Sequence, residues 1–155
     1  MKKLSEKTIT EKIITFCNYR ERCSKEILNK LFSLGCSFQR SNKILNQLIK
    51  INLVNDLRFA KSFCRGKHSI NKWGKVKIKL QLINKEIKEK EIKEALNSID
   101  MNQYYNTIKN LLITKKSSLT NKEKIVQKQK VFNYLLQKGY ENNLILECLN
   151  KNLNI

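Results

Sequence analysis

One pattern occurs three times along this chain and limits what it can fold into. Ile27, Leu31 and Gly35-Cys36 fall four residues apart, as do Ile78, Leu82 and Glu86-Ile87, and then Val131, Leu135 and Gly139-Tyr140. The copies lie 51 and then 53 residues apart. Apolar residues at four-residue spacing mark one face of a helix, and a glycine at the next such position suits the left-handed residue that ends one. Each copy therefore predicts a helix, a turn at the glycine position and a second helix packing back on the first. An apolar pair follows in every copy: Ile92 and Leu96 in the second, Ile145 and Leu149 in the third, and, delayed by three residues, Ile44 and Leu48 in the first. Glu86 stands where the other copies have glycine, so the middle turn is either strained or differently built.

A further helical stretch precedes each pair, near residues 6–18, 55–66 and 103–114. Strand-like alternation is sustained nowhere, and the chain has no proline and four glycines, which leaves few tight turns. The expected fold is all-α: three tandem three-helix repeats over residues 1–54, 55–100 and 101–155, forming an elongated, curved helical array. One such unit buries too little apolar surface alone, so neighbours must stack. Leu31, Leu82 and Leu135 should be buried at matching places. Ser117–Asn121 is expected to be a loop, with Thr120 or Asn121 capping the helix after it. Trp73 is expected in the core.

Charge narrows the function. There are 32 Lys and Arg against 13 Asp and Glu, a net charge of +19. The chain is rich in Lys, Ile and Asn, residues that an AT-rich genome over-uses, but such bias does not explain the shortage of acids. An excess of this size repels itself unless an acidic partner, such as nucleic acid, relieves it. Its most concentrated stretch runs from Arg58 through Lys61, Arg65, Lys67, Lys72, Lys75, Lys77 and Lys79 to Lys85 without an acidic residue. Arg58, Lys61 and Arg65 share one side of a helix, and Lys72, Lys75 and Lys79 repeat that spacing. The two faces are expected to merge into a basic surface, on which reversing Lys75 and Lys77 would leave folding nearly unchanged. A second run, Lys115, Lys116, Lys122, Lys124, Lys128 and Lys130, is a weaker candidate.

Chemistry of other kinds finds little support. There is one histidine, two aspartates (Asp56 and Asp100) and no phosphate-binding glycine loop or nucleophile elbow. Cys64 and His68 lie one helical turn apart but lack the paired ligands usual for zinc. The five cysteines (17, 23, 36, 64 and 148) are odd in number and irregularly spaced, as free thiols in a reducing compartment would be. No apolar run approaches a membrane span or a signal segment. Expected, then, is a soluble intracellular binding protein with no metal, cofactor or catalytic residue.

Several motifs, in order, resemble the RecX family of bacterial regulators of the RecA recombinase. Tyr19-Arg20-Glu21-Arg22-Cys23 followed by Glu26-Ile27 and Lys30-Leu31 is similar to the first-repeat signature, with Cys23 where the family has serine. Leu53-Val54-Asn55-Asp56-Leu57-Arg58-Phe59-Ala60 resembles the most specific motif. Trp73-Gly74-Lys75-Val76-Lys77-Ile78, with Leu82 and Lys85-Glu86-Ile87, resembles the next, and Lys138-Gly139-Tyr140 the close of the third repeat. The resemblance spans about Tyr19 to Leu149. It implies the same three-repeat fold, and a cytoplasmic, monomeric protein that binds RecA filaments on single-stranded DNA and restrains ATP hydrolysis, strand exchange and coprotease activity. Asp56, Phe59, Gly74, Ile78, Leu82 and Gly139 are its matched structural positions, with Phe59, Ile78 and Leu82 in the core and Arg58 a surface contact. A stand-alone basic DNA-binding protein is the alternative, although the aromatic interleaving of single-strand binders is sparse.

Overall fold

The computed structural model describes residues 4–153, and among these the regular elements are nine α-helices. They are α1 (Glu6–Tyr19), α2 (Ser24–Ser33), α3 (Phe38–Lys50), α4 (Asp56–Ser69), α5 (Lys75–Asn84), α6 (Glu89–Asn97), α7 (Met101–Ser117), α8 (Lys124–Lys138) and α9 (Asn142–Leu153). The chain forms two compact units: unit 1 runs through Phe63 and adds Leu82–Glu94, and unit 2 comprises Cys64–Gln81 and the chain from Ala95 onward.

The repeat is visible in the way α2, α5 and α8 end. Cys36, Ile87 and Tyr140 each donate a backbone hydrogen bond to the carbonyl of Leu31, Leu82 and Leu135, five residues earlier. Gly35, Glu86 and Gly139 each donate to the carbonyl three residues earlier, at Phe32, Ile83 and Leu136. This paired closure needs a left-handed residue between the helix and the turn. Gly35 has φ 84° and Gly139 φ 90°, and Glu86 takes the same conformation at φ 59°. The middle turn is thus the strained version rather than a different one. Leu31, Leu82 and Leu135 are fully buried, and so closely are the residues that follow each turn.

In unit 1, Ile9, Ile13, Ile27, Leu31, Leu45, Leu48 and Val54 form a continuous core, with Phe16, Leu28, Ile44 and Leu53 packed on it. Here the sequence reading of α3 needs correction. No delay of three residues exists in the first copy: Ser41 and Leu45 occupy the places of Ile92 and Leu96, and Ser41 is fully buried. The repeat was masked because a serine stands at an apolar position, and its hydroxyl meets no protein partner. Unit 2 packs α7, α8 and α9 against one another around Tyr104, Ile108, Leu112, Val131, Leu135, Tyr140, Ile145 and Leu149. The cap of α8 also differs from expectation. Glu123, rather than Thr120 or Asn121, precedes the helix, without a side-chain capping bond, because the turn after α7 extends through Asn121.

Two substitutions check these local frustrations. Glu86→Gly removes the left-handed penalty of about 1–2 kcal/mol for an L-residue, less the small contribution of the exposed Lys25–Glu86 ion pair and glycine's freedom when unfolded. A net gain of about 1 kcal/mol in urea unfolding is expected. Ser41→Ala removes a buried hydroxyl without a protein partner and is expected to stabilise by about 1 kcal/mol. Destabilisation in either case would contradict the packing described.

Candidate functional site

The segment Leu53–Ala60 is a knot of local capping in unit 1. Asn55 accepts the Arg58 backbone N–H on Oδ1 at 2.9 Å and so caps α4. Asp56, the first residue of α4, reaches α2 instead: its Oδ1 accepts the Ser24 backbone N–H at 2.7 Å. Cys23 occupies the N-cap of α2 and makes no side-chain cap bond, so Asp56 supplies from elsewhere the acceptor that the cysteine lacks. A carboxylate at a helix N-terminus also meets the positive end of the helix dipole. Val54, Phe59 and Ala60 are buried.

Arg58 is bound within the unit. Its Nε donates to Glu21 Oε1 at 2.6 Å, and Nη2 donates to the carbonyls of Asn52 at 3.1 Å and Leu53 at 3.3 Å. Those bonds hold the exit of α3, where Asn52 is itself left-handed. The guanidinium expected at a partner surface is therefore committed to the fold. Lys61 pairs with Glu94 at 2.7 Å and Lys85 with Glu26 at 2.8 Å. Sequence distance hid these acids, since none of them lies inside the basic run.

Unit 2 is different. It holds fifteen Lys and Arg against four acids, and those acids have other positions. Asp100 caps α7, Glu141 accepts the Tyr104 hydroxyl at 2.6 Å, Glu147 pairs with Lys151, and Glu123 precedes α8. Among the described residues, Arg65, Lys72, Lys75, Lys77 and Lys79 meet no carboxylate. Arg65, Lys72 and Lys79 are exposed. Lys67 and Lys77 instead place their ammonium groups 4.8 and 4.6 Å from the Trp73 ring centre, and Lys75 lies 5.3 Å from that of Tyr104. Trp73 is thus half-buried beneath lysines rather than a core residue.

What fixes this basic segment is a contact of backbone on backbone. Gly74 donates to the Lys138 carbonyl at 2.8 Å and Val76 to that of Gly139 at 3.0 Å. A Cβ on Gly74 would collide with the Gly139 carbonyl, and one on Gly139 would collide with Cβ of Lys77. The Lys75 N–H donates to the Tyr104 hydroxyl at 2.9 Å, so the first two amides of α5, at Lys75 and Val76, are bound by unit 2 itself. Tyr140 donates its hydroxyl to the Lys72 carbonyl at 2.8 Å. Burial, then the bond to Glu141, raises the Tyr104 hydroxyl far above the ordinary tyrosine value, so it stays a donor. His68 is buried, with Nδ1 3.1 Å from the Trp73 carbonyl and its ring centre 5.1 Å from that of Tyr104. Burial pushes the neighbouring Cys64 thiol up to about 11. Tyr104 and Glu141 carried no sequence signal of this role. The two glycines did, but only as separate matched positions, Gly139 at a helix-ending turn and Gly74 within a family-like motif.

These observations set the comparison with known proteins. Residues 55–96 match the family model described as RecX, second three-helix domain, and residues 102–149 match RecX, third three-helix domain. The chain belongs to the RecX family. It is 28% identical to the Regulatory protein RecX of Clostridioides difficile over 92% of its own length and 67% of the relative's. For that of Clostridium acetobutylicum the values are 31%, 88% and 64%; for that of Prosthecochloris aestuarii they are 27%, 89% and 89%. The chain therefore spans about two thirds of the length of its clostridial relatives. The crystal structure of RecX from Lactobacillus salivarius superposes with a TM-score of 0.87 at 23% identity, over 96% of this chain and 97% of that one. A second crystal structure of regulatory protein RecX gives 0.84 at 22% identity, over 92% and 70%. Both share the helical fold.

The glycine contact is directly testable. Gly74→Ala is expected to cost about 3 kcal/mol or more, since the added carbon meets backbone rather than a movable side chain. Urea unfolding followed by the fluorescence of Trp73, the single tryptophan, measures it. A cost near zero would mean that α5 and the end of α8 do not touch.

Proposed function

We propose that this RecX protein binds the filament that a RecA recombinase forms on single-stranded DNA, and that binding restrains ATP hydrolysis, strand exchange and coprotease activity. It does so in the cytoplasm as a monomer, without metal, cofactor or turnover of its own. Family membership supports the regulatory role. One observation supports the nucleoprotein partner: unit 2 sets fifteen cations against four acids, three of which already serve a cap, a tyrosine and one lysine. Unit 1, by contrast, balances much of its charge internally through Glu21, Glu26, Glu86 and Glu94.

The structure changes which residues make a clean test. Lys75 lies over Tyr104 with Nζ 3.2 Å from Met101 Sδ, and Lys77 packs its Cβ against Gly139. Reversing them would disturb the packing of unit 2 as well as any interface. Arg65 and Lys79 are exposed, and among the described residues no ion pair engages either side chain. Arg65→Glu with Lys79→Glu is expected to change stability by no more than about 0.5 kcal/mol. Titrated into the ATPase reaction of RecA on single-stranded DNA, the wild-type protein is expected to inhibit. The double reversal should need roughly tenfold more protein, with the larger difference at low salt where charges are least screened. Bare single-stranded DNA bound as tightly as filament at equal salt would favour the stand-alone DNA-binding reading. An unchanged ATPase rate with the wild-type protein would sink the regulatory one.

A further inference from the structure

Helix α5 carries an anomaly that appears when its solvent face is compared with the same face of α2 and α8. Val76 and Leu80 stand one helical turn apart and are 45% and 56% exposed. Their counterparts are Lys25 and Asn29 in the first repeat and Gln129 and Asn133 in the third, all polar. The pattern is inverted at the neighbouring position. Lys79 is exposed where the first repeat has Leu28, packed on the core of unit 1, and the third has Phe132, half-buried. The middle repeat has thus moved its apolar side chains outward and placed a lysine beside them. The fold does not require this, since two copies manage without it. Ile83 is different: Phe32 and Leu136 match it, with 43% and 44% exposure against 48%, so an apolar residue there belongs to the repeat itself.

We propose that Val76 and Leu80, flanked by Lys79, are a docking ridge for a protein surface with an apolar hollow rimmed by carboxylates. The inference rests on the function proposed above and assigns this face of α5 to the protein component of the filament. Aliphatic side chains gain little on a phosphate backbone, whereas desolvated apolar anchors with a charged rim are the normal anatomy of protein interfaces. A second copy of this chain is a poor occupant. Unit 2 would meet the same excess of fifteen cations over four acids, and like charges across an interface oppose association. Among the described residues Lys79 makes no ion pair, which leaves its ammonium available to an outside carboxylate.

The test compares wild-type protein with Leu80→Ser, and with Lys79→Glu and Lys79→Arg, in binding to preformed RecA filaments and to bare single-stranded DNA. Helix content and urea unfolding of each variant are measured first. If Leu80→Ser loses helix, Val76→Thr, nearly isosteric, takes its place. The expected result is at least about tenfold weaker filament binding for Leu80→Ser, as for an interface anchor, with bare-DNA affinity unchanged. Lys79→Glu should weaken filament binding likewise and Lys79→Arg should preserve it. Equal losses on filament and bare DNA would overturn the proposal in favour of a nucleic-acid face. No loss on either would return the ridge to ordinary surface. A wild-type protein that sediments as a dimer, and as a monomer after Leu80→Ser, would identify a second copy as the occupant and also overturn it. Failure of the wild-type protein to bind filament sinks the proposed function itself, whereas filament binding unaffected by Leu80→Ser sinks the ridge alone.

Discussion

A left-handed residue after the middle helix of each repeat is the constraint from which most of this structure follows. It lets the next amide reach back to the buried leucine's carbonyl, and so turns the chain while closing the helix end. Glycine takes the conformation without penalty at Gly35 and Gly139, while Glu86 bears a steric cost to keep the same geometry. That the glutamate adopts the turn at all shows how firmly the buried pair Leu82 and Ile87 determines it. At Gly139 the same turn has a second consequence. Its carbonyl is left pointing outward, and the first turn of α5 docks on it through the Val76 N–H.

That docking fixes the position of a lysine-rich segment. A helix N-terminus beginning Lys75-Val76-Lys77 has cations where the dipole favours anions, and it has no side-chain cap of its own. Unit 2 supplies the missing acceptors through the Tyr104 hydroxyl and the Gly139 carbonyl. The tyrosine in turn donates to Glu141, a chain of bonds that polarises in the direction the amide requires. Gly74 is needed because backbone meets backbone there, and Trp73 remains half-buried as a platform for Lys67 and Lys77.

The sequence disclosed what is periodic and concealed what is distant. Helices, turns and buried leucines follow from spacing, because each depends on residues a few positions apart. Where a periodic position carried the wrong chemistry the reading slipped, as when Ser41 hid the register of α3. The candidate site fared differently. An unbroken run of positive residues from Arg58 to Lys85 looked like one surface, yet Arg58, Lys61 and Lys85 find carboxylates 37, 33 and 59 residues away. No local pattern contains those pairs. Asp56 capping α2 across 32 residues was equally invisible, although the cysteine at the N-cap hinted that an acceptor was missing.

Once those internal pairs are removed, the remaining basic residues acquire a meaning that the net charge alone could not give. The bridges of unit 1 range from exposed pairs such as Lys61–Glu94, which contribute little to stability, to the partly buried pairs of Glu26. Whatever each adds to stability, all of them cancel charge: Glu26 alone engages Arg20 and Lys85. Unit 2 has the same fold chemistry but uses Asp100 as a cap and Glu141 as a hydrogen-bond acceptor, pairs Glu147 with Lys151, and leaves other cations to lean on aromatic rings or extend into solvent. A cation resting on a ring keeps its full charge toward the outside, unlike one in an ion pair. Compositional drift toward lysine would raise the charge of both units without regard to where the acids go. The unequal placement of acids is therefore the better evidence for a polyanionic partner. It also separates two jobs along the same stretch of chain, with Arg58 spent on the fold and Arg65 and Lys79 left available.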